Sequence, residues 1–317
     1  MLAIIFYLMI KVDNLTKQIS GNKILNSISF EVRDGEILGF LGPNGAGKTT
    51  TMKIITGFWT PSAGNVYVND LNVTADSLAI RDRLGYLPET VPLYDDMKVY
   101  EYLRFIADIR NVPKENIKSR LKQVIADCGL ESVITKPIEE LSKGYRQRTG
   151  LAQAIIHEPE ILILDEPTTG LDPNQIVEIR NLIKKLGERK TVIFSTHILS
   201  EVQATCDRVI IINKGKIVGE GTPGELASRL GAQDMIYVKI KGPRDVIYEA
   251  LRALEQIEEI LDKDAESEEI FGFAIRPKVG LDIREHIADV VRQNNWSILE
   301  LNRQTASMED VFRELTK

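Results

Sequence analysis

Gly42-Pro43-Asn44-Gly45-Ala46-Gly47-Lys48-Thr49 is the stretch from which the rest of the chain is read. It matches the phosphate-binding pattern G-x-x-x-x-G-K-[ST], and its flanks match as well. Ahead of it, Ile37-Leu38-Gly39-Phe40-Leu41 is apolar and short enough for a buried strand. Behind it, Thr49 to Gly57 reads as a helix with Met52, Ile54 and Ile55 on one side and Gly57 as its stop. A glycine turn without a ligand is the plainer reading, but strand, glycine loop and helix together favour a nucleotide. Asn44, Gly45, Ala46, Gly47, Lys48, Thr49 and Thr50 then surround phosphate oxygens, with the helix N-terminus adding partial positive charge. Lys48 reaches the β- and γ-phosphates, and the Thr49 hydroxyl ligates Mg2+.

Working outward, 317 residues suggest two domains, and 43% apolar content is ample for their cores. A net charge of −6 gives no basic excess, so no nucleic-acid partner is expected. Cys128 and Cys206 lie far apart without metal-like spacing and read as reduced thiols of a cytosolic chain. Met1 to Ile10 is almost wholly apolar. It lacks a basic flank and a cleavage site, and it is far shorter than the roughly 20 residues of a membrane span. The expectation is a native start at Met9, with residues 1–8 as an apolar upstream extension. No other segment can cross a bilayer, so a membrane role would pass through a partner.

Residues 9–36 read as antiparallel strands leading into the loop, and Asn65–Val68 and Leu84–Leu87 as further strands. From Glu89 the texture becomes helical: Val99–Ile109, Glu115–Cys128 and Lys143–Ile156 carry apolar residues at helical spacing. Residues 89–156 are therefore an inserted helical subdomain. Strands at Ile161–Leu164, Thr191–Phe194 and Val209–Ile212 then alternate with helices, which argues for a mainly parallel sheet covered on both faces. This α/β domain spans residues 9–230. Residues 234–317 follow the order βαββαβ, the pattern of a ferredoxin-like α+β module, with an added helix at Ser307–Leu315. No chemical cluster appears there, and His286 reads as a surface residue.

Ligands of parallel sheets gather at the carboxyl ends of strands, and three such ends here are polar. Besides the phosphate loop, the strand Ile161–Leu164 ends in Asp165-Glu166, and the strand from Thr191 ends in Thr196-His197. Acids at a strand end often cap the next element, yet a core strand rarely ends in two without a cation nearby. Asp165 is assigned to Mg2+, Glu166 to the attacking water and His197 to the γ-phosphate.

With Leu141-Ser142-Lys143-Gly144-Tyr145-Arg146-Gln147-Arg148 and Thr169-Gly170-Leu171-Asp172 added, the chain resembles an ABC-transporter ATP-binding subunit. Five motifs occur in that family's order. The resemblance implies a P-loop NTPase cassette over residues 9–230, ATP and Mg2+ as cofactors, and ATP hydrolysis. It also implies a head-to-tail pair, in which Ser142 and Gly144 of the signature segment meet the γ-phosphate held by a second copy. Asp172 would sit across that interface. An integral-membrane permease is the implied partner, placing the chain in the cytoplasm on the inner membrane face. The C-terminal module, ending Ser307-Met308-Glu309-Asp310-Val311-Phe312, resembles that of ABC-2-type exporters of the gliding-motility or multidrug-export branch.

Some positions depart from the family pattern. Lys143 and Tyr145 replace glycine and glutamine in the signature. Glu89 stands where a Mg2+-sensing glutamine is usual, and Ile19 stands where an aromatic stacks on adenine. A soluble ABC-type ATPase of translation or DNA maintenance is the alternative. Translation members usually carry two cassettes and repair members a long coiled coil, and neither is visible here. Asn213-Lys214-Gly215-Lys216 lacks the aspartate of a guanine reader and reads as a turn.

Overall fold

The computed structural model describes residues 8–229, 235–263, 269–278 and 281–304, with Phe312, Leu315 and Thr316. Residues 1–7 and most of the helix expected over Ser307–Leu315 lie outside the described residues. Two compact units divide between Pro223 and Gly224.

The first unit begins with β1 (Leu8–Ile19), β2 (Asn22–Arg33), β3 (Ile37–Leu41), α1 (Lys48–Ile55), β4 (Ala63–Val68), β5 (Leu71–Asn72), α2 (Ser77–Arg83) and β6 (Leu84–Leu87). Three helices follow, α3 (Val99–Ile109), α4 (Lys114–Cys128) and α5 (Lys143–Ile155). The chain then alternates β7 (Ile161–Asp165), α6 (Pro173–Gly187), β8 (Thr191–Thr196), α7 (Leu199–Thr205) and β9 (Arg208–Asn213), before β10 (Lys216–Gly221); the division between the units falls at the start of α8 (Pro223–Arg229). β1 starts at Leu8, one residue before Met9, and runs on to Ile19 because it pairs with β2 on one side and β4 on the other.

Six strands form the central sheet in the order β10-β9-β3-β8-β7-β6, parallel except for the β9–β10 hairpin. Burial on both faces explains why β7 reads as an unbroken apolar run. Ile161 and Ile163 enter a core with Met52, Ile54 and Ile55 of α1, whereas Leu162 and Leu164 enter a second core beneath α5 and α6. β10 has no counterpart among the strands expected from the sequence, because Gly219 and Gly221 interrupt its apolar pattern. The turn at Asn213–Lys216 is present: Lys214 (φ 48°) and Gly215 (φ 74°) are both left-handed, which suits a tight hairpin.

Gly85 shows how closely the helices pack on this sheet. A Cβ there would lie 2.2 Å from the Ala154 carbonyl oxygen, a backbone atom that cannot yield. Gly85→Ala is expected to destabilise the protein by about 1–3 kcal/mol. A lower urea midpoint at unchanged slope would show it.

The second unit holds β11 (Met235–Lys241), α9 (Arg244–Arg252), β12 (Ile257–Asp262), β13 (Ile270–Pro277), α10 (Arg284–Gln293) and β14 (Ser297–Gln304). Its antiparallel sheet has the order β12-β13-β11-β14, the ferredoxin-like arrangement of a βαββαβ chain. Ile236, Val238 and Ile240 alternate into a core with Ile247 and Leu251 of α9 and Ile287 and Val291 of α10. His286 is exposed.

Candidate active site

Strand register assembles the site. β3, β8 and β7 are neighbours, with Leu41 opposite Thr196 and Asp165 opposite Ser195, so three carboxyl ends finish side by side. The loop after β3 folds as its glycines allow. Gly45 (φ 79°) and Gly47 (φ 112°) are left-handed, and a Cβ on Gly47 would meet Leu25 Cδ2 at 2.6 Å.

A cavity of about 410 Å3 opens at this loop, lined by Ile24, Asn44, Gly45, Gly47, Lys48, Thr49, Thr50, Glu89 and Glu166. Lys48 Nζ donates to the carbonyls of Gly42 (2.8 Å) and Pro43 (3.2 Å) and pairs with Glu166 Oε1 at 3.0 Å. The second oxygen, Oε2, contacts His197 Nδ1 at 2.8 Å and accepts the Thr169 hydroxyl at 3.1 Å. Glu166 is thus held at both oxygens while facing the cavity.

Asp165 is fully buried. Its Oδ1 accepts the hydroxyls of Thr49 (3.2 Å) and Ser195 (2.6 Å), whereas Oδ2 is buried without a hydrogen-bond partner. Burial raises its pKa; the two hydroxyls oppose the rise, and the neighbouring charges of Glu89 and Glu166 add to it. A bare carboxylate oxygen beside a threonine hydroxyl fits Mg2+, which is bound through one or two protein groups plus water and phosphate oxygens. Among the described residues no group of three His, Cys, Asp or Glu forms an all-protein metal site.

The structure does not bring every expected residue to this cavity. Ala46 is buried, with its carbonyl accepting the Gly215 N–H at 3.0 Å. Ile19 lies half-exposed at the end of β1, opposite Asn22, and Ile24 supplies the apolar wall instead. Ser142 caps α5 through a long contact of 3.5 Å to the Tyr145 N–H. A Cβ on Gly144 would press on the Gln175 side chain of α6 at 2.8 Å. Asp172 caps α6, accepting the Asn174 and Gln175 N–H groups at 3.0 Å each. None of the three lines the cavity. Ile24 and Ser195 have roles here that the sequence did not suggest, and Thr169, read only as part of the Thr169–Asp172 motif, has an unassigned one in holding Glu166. Thr169, three residues after Glu166, had a signal in its spacing, and Ser195 only in the strand register.

This arrangement of phosphate loop, paired acids and histidine defines a nucleotide-hydrolysing P-loop protein. The family described as ABC transporter matches residues 25–169. The linearmycin resistance ATP-binding protein LnrL of Bacillus subtilis is 31% identical over 309 residues, covering 97% of this chain and 98% of its own. The bacitracin transport ATP-binding protein BcrA of Bacillus licheniformis is 38% identical over 213 residues, 67% of this chain and 69% of its own. A dimeric ATP-binding cassette solved with ADP and phosphate superposes at a TM-score of 0.63 with 25% identity, over 68% of this chain and 98% of its own. The chain belongs to the family of ABC-transporter ATP-binding subunits, and it is an ATPase. None of these relatives is named for translation or DNA maintenance.

Proposed function

We propose that this ATPase works as a head-to-tail pair of identical chains on a separate membrane permease and powers export. One observation carries the pair: Ser142, Gly144 and Asp172 stand outside the cavity of their own chain. In a pair, the start of α5 in one copy would close on the phosphate loop of the other, its N–H groups facing the γ-phosphate. The related cassette solved as a dimer supports this reading.

Within the closed site Glu166 takes the proton of the attacking water, with Thr169 and His197 fixing its carboxylate. His197 also reaches the γ-phosphate, and Lys48 the β- and γ-phosphates. Thr49 and Asp165 would hold Mg2+, with Glu89 on the same wall; when bound, the ion neutralises phosphate charge.

The segment Glu89–Tyr100 is the proposed permease contact. Tyr94 and Tyr100 are 55% and 40% exposed, and Asp95 pairs with Arg146 of α5 at 2.6 Å. Movement of the start of α5 would therefore be felt at this surface. Among the described residues no helix is long and apolar enough to cross a membrane. In this reading the permease would hold the chain at the cytoplasmic face. The relative named for linearmycin resistance favours export. The test is to purify Glu166→Gln with ATP from native membranes. One polytopic membrane protein should co-purify in fixed ratio with the pair; recovery of ribosomes or DNA alone would overturn the proposal.

A further inference from the structure

Asp165 and Glu166 are consecutive, and consecutive strand residues point to opposite faces. Both nevertheless serve one site, Asp165 meeting Thr49 and Glu166 meeting Lys48. The chain achieves this by leaving β7 at Glu166 in a left-handed conformation, φ 49°. For a residue with a Cβ that conformation costs about 1–2 kcal/mol, so the surroundings must hold it.

Ser195 supplies the hold. It is fully buried on β8, directly opposite Asp165 in the parallel register. Its hydroxyl accepts the Glu166 N–H at 3.0 Å, and its carbonyl shares that N–H at 3.2 Å. The hydroxyl proton goes to Asp165 Oδ1 at 2.6 Å. The Thr49 hydroxyl also donates to Oδ1, at 3.2 Å. Both protons therefore fall on one oxygen, and Oδ2 is left bare.

We propose that Ser195 is the positioning residue of the hydrolytic centre, turning Asp165 so that Oδ2 is reserved for the cation and fixing the backbone turn that presents Glu166 to water. It is fully buried and does not line the cavity, so it acts through the two acids. A buried serine that merely satisfies its own hydroxyl would behave differently in three measurements.

The first is deuterium exchange at the Glu166 amide of the nucleotide-free protein, which needs no metal and no turnover. The second is Mn2+ affinity in the presence of ADP, read by electron paramagnetic resonance. The third is steady-state ATP hydrolysis. Ser195→Ala removes the hydroxyl; Ser195→Cys keeps the buried volume, and so the fold, but offers a weak donor; Ser195→Thr restores the hydroxyl. For Ala and Cys, amide exchange should be about tenfold faster and Mn2+ binding about tenfold weaker, each the size of one lost hydrogen bond. Their kcat should fall about ten- to a hundredfold while KM for ATP moves less than about twofold. Thr should return all three toward the parent. Parent-like exchange and Mn2+ affinity in the Ala and Cys variants would overturn the proposal. So would a rise in KM together with a lower unfolding midpoint at unchanged Mn2+ affinity, which is the signature of a serine that only supports the strand.

Discussion

Replacing Glu166 by glutamine should leave ATP binding intact and slow hydrolysis by about 10²–10⁴-fold, the usual contribution of a positioned general base. The reason lies in what the substitution keeps. Glutamine has the same shape and still offers an oxygen to Lys48 Nζ, so the wall of the cavity survives. It cannot take a proton from water. Single-turnover hydrolysis measures the loss, and equilibrium binding measures the retention. With ATP the variant should also run as a pair on gel filtration, and with ADP as single chains. Normal turnover would remove Glu166 from its assigned role.

Lys48→Ala acts on the same ion pair from the other side and should weaken ATP binding about tenfold to a hundredfold, since charge-assisted contacts to phosphate disappear. A second effect accompanies it. Lys48 is the cation that Glu166 Oε1 faces, and both side chains are nearly buried, at 5% and 7% exposed. Removing the ammonium leaves the carboxylate short of a partner, at a stability cost of about 1–3 kcal/mol. The double variant Lys48→Ala, Glu166→Gln separates the two effects: it should regain much of the lost stability and none of the affinity. Urea unfolding and nucleotide titration on the same samples check this. Unchanged ATP affinity in Lys48→Ala would overturn the phosphate-loop assignment.

Much of the site was legible because its residues announce themselves by local pattern. Lys48 and Thr49 follow a fixed glycine spacing, and Asp165-Glu166 close an apolar run, so strand, loop and helix could be placed from neighbours alone. What stayed hidden depends on register between distant segments. Ser195 matters because β8 lies beside β7 with residue 195 opposite residue 165, a pairing that nothing within either strand specifies. Ile24 and Ile19 illustrate the same limit. Both are apolar residues near the β1–β2 turn, and only the path of that hairpin puts Ile24 on the cavity wall and leaves Ile19 outside it. β10 was missed because Gly219 and Gly221 read as breakers, whereas an edge strand next to β9 tolerates them.

The split allegiance of β7 has a consequence for how this enzyme fails. Its alternate side chains anchor two different cores, and Asp165 is the last residue of that same strand. Asp165 therefore rides on the best-protected part of the unit, where opening requires unfolding as a whole rather than a local breath. On heating, the capacity to hydrolyse ATP should vanish in the same transition as the fold, with no inactive but folded species before it.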